Sequence, residues 1–154
     1  MSPVCWIIFL WFILTLKAIE SNQIHRNFIK AVNQVRRNHK LPLICLSQKL
    51  NAAALQHSQW MSKNNKLIHG SSKDLKTRLI RNKYPMNGAA AENIALNSDR
   101  SAHYTVNQWM KSPKHRASIL NPKYNQVGVG ANERNRKIWW TMLMARGSDK
   151  CILS

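Results

Sequence analysis

Gln108-Trp109-Met110-Lys111-Ser112-Pro113-Lys114-His115-Arg116-Ala117-Ser118-Ile119-Leu120-Asn121-Pro122-Lys123-Tyr124-Asn125-Gln126-Val127-Gly128-Val129-Gly130 changes structural character three times along its length. Its start continues a helical face, because Trp109 and Met110 extend the spacing of Ala102 and Val106, so a helix is expected over 101–111. Ser112-Pro113 closes that helix, residues 115–120 supply one further helical turn, and Asn121-Pro122 stops it. From Gln126 the pattern becomes that of a strand, over 126–131. A second strand follows at 138–145, across a polar hairpin loop at 132–136. This second strand is apolar at nearly every position, so helices should cover both of its faces.

Working toward the N-terminus, Ile24, Phe28, Ala31, Val32 and Val35 recur at three- and four-residue steps and predict a helix over about 24–38. Pro42 ends it, residues 41–46 form a short extended link, and Ser47 is placed to cap the next helix, over about 48–64. Leu50, Ala53, Ala54, His57, Trp60 and Met61 mark its expected buried side, the alanines allowing close approach of another layer. Residues 67–72 read as a loop, and a third helix is expected at about 73–82 with Leu75, Leu79 and Ile80 inward. Tyr84-Pro85-Met86-Asn87-Gly88 breaks that helix. The small-residue stretch at 89–95 that follows is so apolar that its carboxylate, Glu92, does not read as a surface charge. Helices first and a late antiparallel hairpin give an α+β fold, a three-layer α–β–α sandwich around a mainly antiparallel sheet.

The chain of 154 residues is one domain long, and 44% apolar residues suffice for one core. Residues 4–14 are an uncharged apolar run, shorter than the ~20 residues needed to span a bilayer. Residues 1–21 are therefore expected to be a signal peptide, cleaved after Ala18 or Ser21, with the folded domain at 22–154. An uncleaved anchor is the alternative. Cleavage removes Cys5 and leaves Cys45 and Cys151, which form one disulfide or stay as two thiols. The net charge of +18, from 24 Lys and Arg against 6 Asp and Glu, gives a positive surface that attracts phosphates, anionic lipids, acidic polysaccharides or nucleic acid. Arg36, Arg37, Lys63, Lys66, Lys73, Lys76, Arg78, Arg81, Lys83, Arg134, Arg136 and Lys137 are scattered rather than gathered in a tail. A solvated basic face and an anion-binding face are both consistent with that distribution.

Four pieces give the chain a resemblance to the CAP superfamily, the cysteine-rich secretory, antigen 5 and pathogenesis-related-1 proteins that carry an SCP-like domain. They are Leu41-Pro42-Leu43 ahead of an alanine-rich helix, His69, Ala91-Glu92-Asn93-Ile94-Ala95, and the long block quoted at the outset. That block is similar to the W-M-x-S-P-x-H-R-x-x-I-L-x-P-x-Y-x-x-x-G-V-G pattern of the compact, bacterial-like branch. The resemblance implies the same sandwich, secretion to the extracellular space, and a cleft built from His69, Glu92 and His115. The second cleft glutamate of longer members is Ser112 here, Cys45 replaces an aromatic, and Ala91 replaces a glycine. The loop before the second histidine is short, so sterol binding through it does not transfer.

Two imidazoles and a carboxylate match the three-ligand set that holds zinc with an open position, so zinc or another divalent cation is a candidate cofactor. Hydrolysis at such a metal also needs a base, and Ser112 removes the obvious one. The alternative is a polar network in which Glu92 accepts from both rings and ties loops to the core. His57 reads as a satisfied core histidine, and His25, His39 and His103 as surface residues. Cys45 lacks a basic neighbour to activate it as a nucleophile. No G-x-S-x-G elbow, P-loop or dinucleotide fingerprint occurs. With the tryptophans assigned mostly to the leader or to buried faces, specific nucleic-acid recognition is not expected. The expected protein is a monomer that binds a small lipid or an anionic surface outside the cell. A divalent-metal hydrolase and an electrostatic polyanion binder are the other two readings.

Overall fold

The computed structural model describes residues 3–152. Among them the order is α1 (Pro3–Asn38), β1 (Cys45–Ser47), α2 (Gln48–Asn64), α3 (Ser72–Arg81), β2 (Met86–Asn97), α4 (Ala102–Lys111), α5 (Pro113–Ile119), β3 (Gln126–Arg134), β4 (Lys137–Gly147) and β5 (Cys151–Ile152). The strands form one sheet in the order β2-β4-β3-β1-β5. Only the β1–β3 pairing is parallel.

The apolar run at 138–145 lies inside this sheet, and its alternate residues separate the two helical layers. Trp140, Met142 and Met144 share a cluster with Phe28 and Val32 of α1, Trp109 of α4 and Ile119 of α5. Leu143 and Ala145 face the other way, onto Leu50, Ala53 and Ala54 of α2 and Leu79 of α3. The three-layer sandwich follows from this double burial. The β3–β4 hairpin turns through Asn135 and Arg136, both at positive φ (52° and 57°), as a two-residue turn of that twist requires.

The Gly-Val-Gly of β3 sets how closely α2 lies on the sheet. A Cβ at Gly128 would come within 2.2 Å of the Leu50 carbonyl carbon, and one at Gly130 within 2.2 Å of the Leu55 nitrogen. Side chains of α2 then reach the strand backbone directly. Asn51 accepts from the Val129 N–H at 2.9 Å, and Ser58 donates to the Gly130 carbonyl at 3.0 Å.

Several sequence expectations need correction. The small-residue stretch is part of a twelve-residue strand, β2, paired with β4 from Ala90 to Asn97. Its alanines have little β-propensity, so the neighbouring strand imposes the extended conformation. The link before α2 contributes β1, and the C-terminus adds β5. On α3 the inward face is Leu75, Arg78 and Leu79, while Ile80 is 65% exposed. Trp60 sits on the rim of α2 rather than under it, and His25 is half-buried rather than superficial.

Arg36, one of the scattered bases expected on a solvated face, is fully buried. Its guanidinium donates to the carbonyls of Pro42 and Ile119 at 2.8 Å, of Asn121 at 3.1 Å and of Tyr124 at 3.3 Å. It thereby joins the end of α1 to the link before β1 and to the turn after α5. Cys45 and Cys151 are joined as a disulfide that staples β5 to β1. At the other end of the chain, α1 runs unbroken through the proposed cleavage region, and Trp6, Ile7, Ile8, Phe9, Leu10 and Trp11 are exposed. Among the described residues no helix is long and apolar enough to cross a membrane.

Candidate functional site

Strand alternation sends the Glu92 side chain to the α2–α3 side of the sheet and its neighbour Asn93 to the side of α5, where Asn93 donates to the His115 carbonyl at 3.1 Å. The Glu92 side chain is only 6% exposed, and both of its oxygens are engaged. Oε2 accepts from Arg78 Nη2 at 2.6 Å. Oε1 accepts from the Gly70 N–H at 3.0 Å and from His69 Nδ1 at 3.3 Å, with His57 Nε2 at 3.6 Å. Arg78 is held in turn by Asp74 at 3.1 Å and by the Ala53 carbonyl at 3.3 Å.

His57 explains how the loop after α2 is fixed. Its Nε2 lies 3.0 Å from the Ile68 carbonyl, which can only accept, so Nε2 carries the proton. Burial pushes the His57 pKa down, and the opposing pull of Glu92 does not reverse the shift. The neutral ring therefore pins Ile68 while Glu92 pins His69 and Gly70. On its other side His57 stacks on Trp60, with ring centroids 5.9 Å apart and planes 2° apart.

His115 reaches the same neighbourhood from α5. Its ring centroid is 6.1 Å from that of His69 and 6.5 Å from Trp109. Burial lowers its pKa, and the nearby His69 adds to the effect. At the sheet edge formed by β2, His69 is bonded to Glu92 and its ring lies tilted by 49° beside that of His115, while the second imidazole next to the carboxylate is His57 rather than the expected His115. Among the described residues, however, no three of His, Cys, Asp and Glu form a group able to hold a metal ion. The reason is visible at Glu92, whose oxygens are taken by an arginine, a backbone N–H and a histidine proton. The zinc implied by the resemblance does not fit this arrangement. Ser112 is the junction between α4 and α5, its N–H donating to the Trp109 carbonyl.

The polar network closes one wall of a cavity of about 370 Å³ between α2, α3 and the loop 66–71, lined by Gln56, His57, Trp60, Ile68, Arg78 and Arg81. Arg78 and Trp60 were missed as site residues. Arg78 lies three residues after Leu75 and next to Leu79, so the helical period alone placed it on the buried face. Trp60 had no such signal, because its exposure depends on where the loop packs.

A family model described as the Cysteine-rich secretory protein family, CAP, matches residues 29–144. The chain is 33% identical over 112 residues to an uncharacterized membrane protein of Bacillus subtilis (strain 168), YlbC, covering 71% of this chain and 32% of that protein. An extracellular SCP-domain protein of Bacillus anthracis has the same fold at a TM-score of 0.72 and 29% identity, over 81% of this chain and 41% of its own. An outer surface protein of Borrelia burgdorferi shares the fold at a TM-score of 0.70 and 14% identity, over 82% and 94% of the two chains. The chain thus spans about a third of the Bacillus subtilis relative and well under half of the Bacillus anthracis one.

Proposed function

The chain belongs to the cysteine-rich secretory protein (CAP) family, and on that premise we propose that it is a secreted binding protein whose cleft between α2 and α3 takes a small amphipathic ligand. The observation that carries this reading is the saturated Glu92 carboxylate, buried against Arg78. A carboxylate committed in this way is scaffold, and what it scaffolds is a cavity with an apolar wall, Trp60 and Ile68, beside the cationic Arg81. Apolar lining with a few fixed polar groups is the common make-up of a small-ligand site. The apolar helix surface at 6–16 supports a leader removed on secretion, within residues 1–21. The disulfide supports an oxidising, extracellular destination.

The test is a pair of titrations on the purified chain, one with zinc and one with a monomeric fatty acid. Fatty-acid binding without added metal, weakened roughly tenfold by Arg81→Gln through loss of one charge-assisted contact, is the expected result. Stoichiometric zinc uptake that disappears in His115→Ala would instead favour the divalent-metal hydrolase and overturn the binding reading.

A further inference from the structure

The mouth of the cleft carries more exposed apolar surface than a small ligand needs. Trp60 is 43% exposed, Leu67 45% and Ile68 50%, on two adjoining segments, the end of α2 and the loop that follows it. These side chains stand on a rigid base. The Trp60 ring is stacked on His57, the Ile68 carbonyl is bonded to that same histidine, and Gly70 is bonded to Glu92. The loop begins at Asn65 in the left-handed conformation (φ 51°), and the Lys66 N–H returns to the Met61 carbonyl. Exposed apolar groups held this firmly do not collapse onto the protein.

Cations surround them. Lys63 is one helical turn beyond Trp60, Lys66 precedes Leu67, and Arg81 lines the opposite lip of the cleft. The acid at this mouth, Asp74, is bonded to Arg78. We propose that this face, Trp60, Leu67 and Ile68 set among Lys63, Lys66 and Arg81, docks onto an anionic lipid bilayer. The proposal deepens the extracellular-binding reading and rests on it.

Charge complementarity selects the occupant. A second copy of the chain would bring 24 basic against 6 acidic residues toward the same basic face, and the two would repel. A soluble polyanion would satisfy the lysines and leave a tryptophan, a leucine and an isoleucine in water. An anionic bilayer answers both sets at once, taking the apolar tips at the headgroup boundary and the lysines at the phosphate level. Tryptophan suits that position, with an apolar ring and one polar N–H.

The experiment uses the full chain with Trp6→Phe and Trp11→Phe, so that the apolar N-terminal segment contributes no tryptophan signal. Of the remaining four, Trp109, Trp139 and Trp140 are at most 3% exposed, so quenching by bromine-labelled lipids reports on Trp60. Vesicles with about a third brominated phosphatidylglycerol in phosphatidylcholine, at ~0.1 M salt, are expected to quench the emission, and Trp60→Phe to abolish the quenching. Lys63→Gln with Lys66→Gln should raise the lipid needed for half-quenching roughly 25-fold, from two lost lysine contributions. Leu67→Ser with Ile68→Ser should raise it by about tenfold or more.

Vesicle binding with unquenched Trp60 overturns the proposal, because the N-terminal segment alone then holds the membrane. Heparin binding at the same lysines, with the Leu67 and Ile68 changes leaving vesicle quenching unaltered, overturns it in favour of a polyanion face. A response to monomeric short-chain phosphatidylglycerol but not to vesicles removes the docking face and leaves the cleft reading intact. Silence toward both removes the two together.

Discussion

Arg36 and Arg78 are both arginines on the inward face of a helix, at 0% and 5% exposure, yet they are satisfied in opposite ways. Arg78 meets two carboxylates, Glu92 and Asp74, beside an open cleft. Arg36 meets four carbonyls and no carboxylate, one of them the terminal carbonyl of α5, where the helix dipole is negative. On the α1–α5 side a buried charge is used to close the chain on itself. On the α2–α3 side a buried ion pair holds a loop in place at a surface that faces outward. The same residue type thus locks one region and shapes a binding site in the other, and a mutation series separates the two roles.

The largest loss is expected on the locked side. Arg36→Met strands four carbonyl acceptors and should cost about 4 kcal/mol of unfolding free energy in urea denaturation. A loss below 1 kcal/mol would mean that water reaches those carbonyls and the lock is not one. The disulfide fastens the same region from the sheet edge, so Cys45→Ser with Cys151→Ser should cost about 3 kcal/mol. Reduction of the native chain, followed by the same denaturation, should reproduce that value.

On the cleft side, Arg78→Met leaves Glu92 buried beside a histidine and one N–H, at a cost of about 2.5 kcal/mol, below the fully buried limit because the cleft admits water. Arg78→Met with Glu92→Gln should lose less than the two single changes added together. Additive losses in that double-mutant cycle would show that the pair is not coupled. Fatty-acid binding should fall in both single variants and stay near normal in Arg36→Met, provided the latter remains folded.

Acid should act on both sides of the sheet, because burial also lowers the pKa of His25 on α1. His57 and His115 have folded pKa values below their ordinary 6.5, so the unfolded chain binds protons first. Stability is then fully present above about pH 6.5 and falls as the pH drops below it. Denaturation midpoints at pH 7.5 and 5.5 should differ, and His57→Gln should narrow the difference. The smallest effect is reserved for the α3 cap: Ser71 accepts from the Asp74 N–H at 3.1 Å, so Ser71→Ala should cost about 1 kcal/mol.

The bounds of α2 and the existence of β3 and β4 were legible in the sequence because each carries its own period and its own stop signal, Ser47 before the helix and Asn132 to Arg136 between the strands. Strand β2 was not, because alanine and glycine carry no strand preference and β4 alone holds them extended. Glu92 was recognisable as a buried carboxylate from its apolar setting and His69 as its neighbour from the motif, whereas His57, the other imidazole beside it, read only as a core histidine. The helical period marks Arg78 as inward, but nothing in one dimension says which of the two dozen basic residues meets this carboxylate.

Local sequence, then, determined the family, the layers and the inward setting of Glu92, since periodicity, capping and motif spacing act over a few residues at a time. Which cation Glu92 receives, that Arg36 is buried, and that Trp60 stands at the rim were decided only by tertiary structure. Those facts depend on segments tens of residues apart arriving at the same place, and burial and hydrogen-bond partners exist only once they have met.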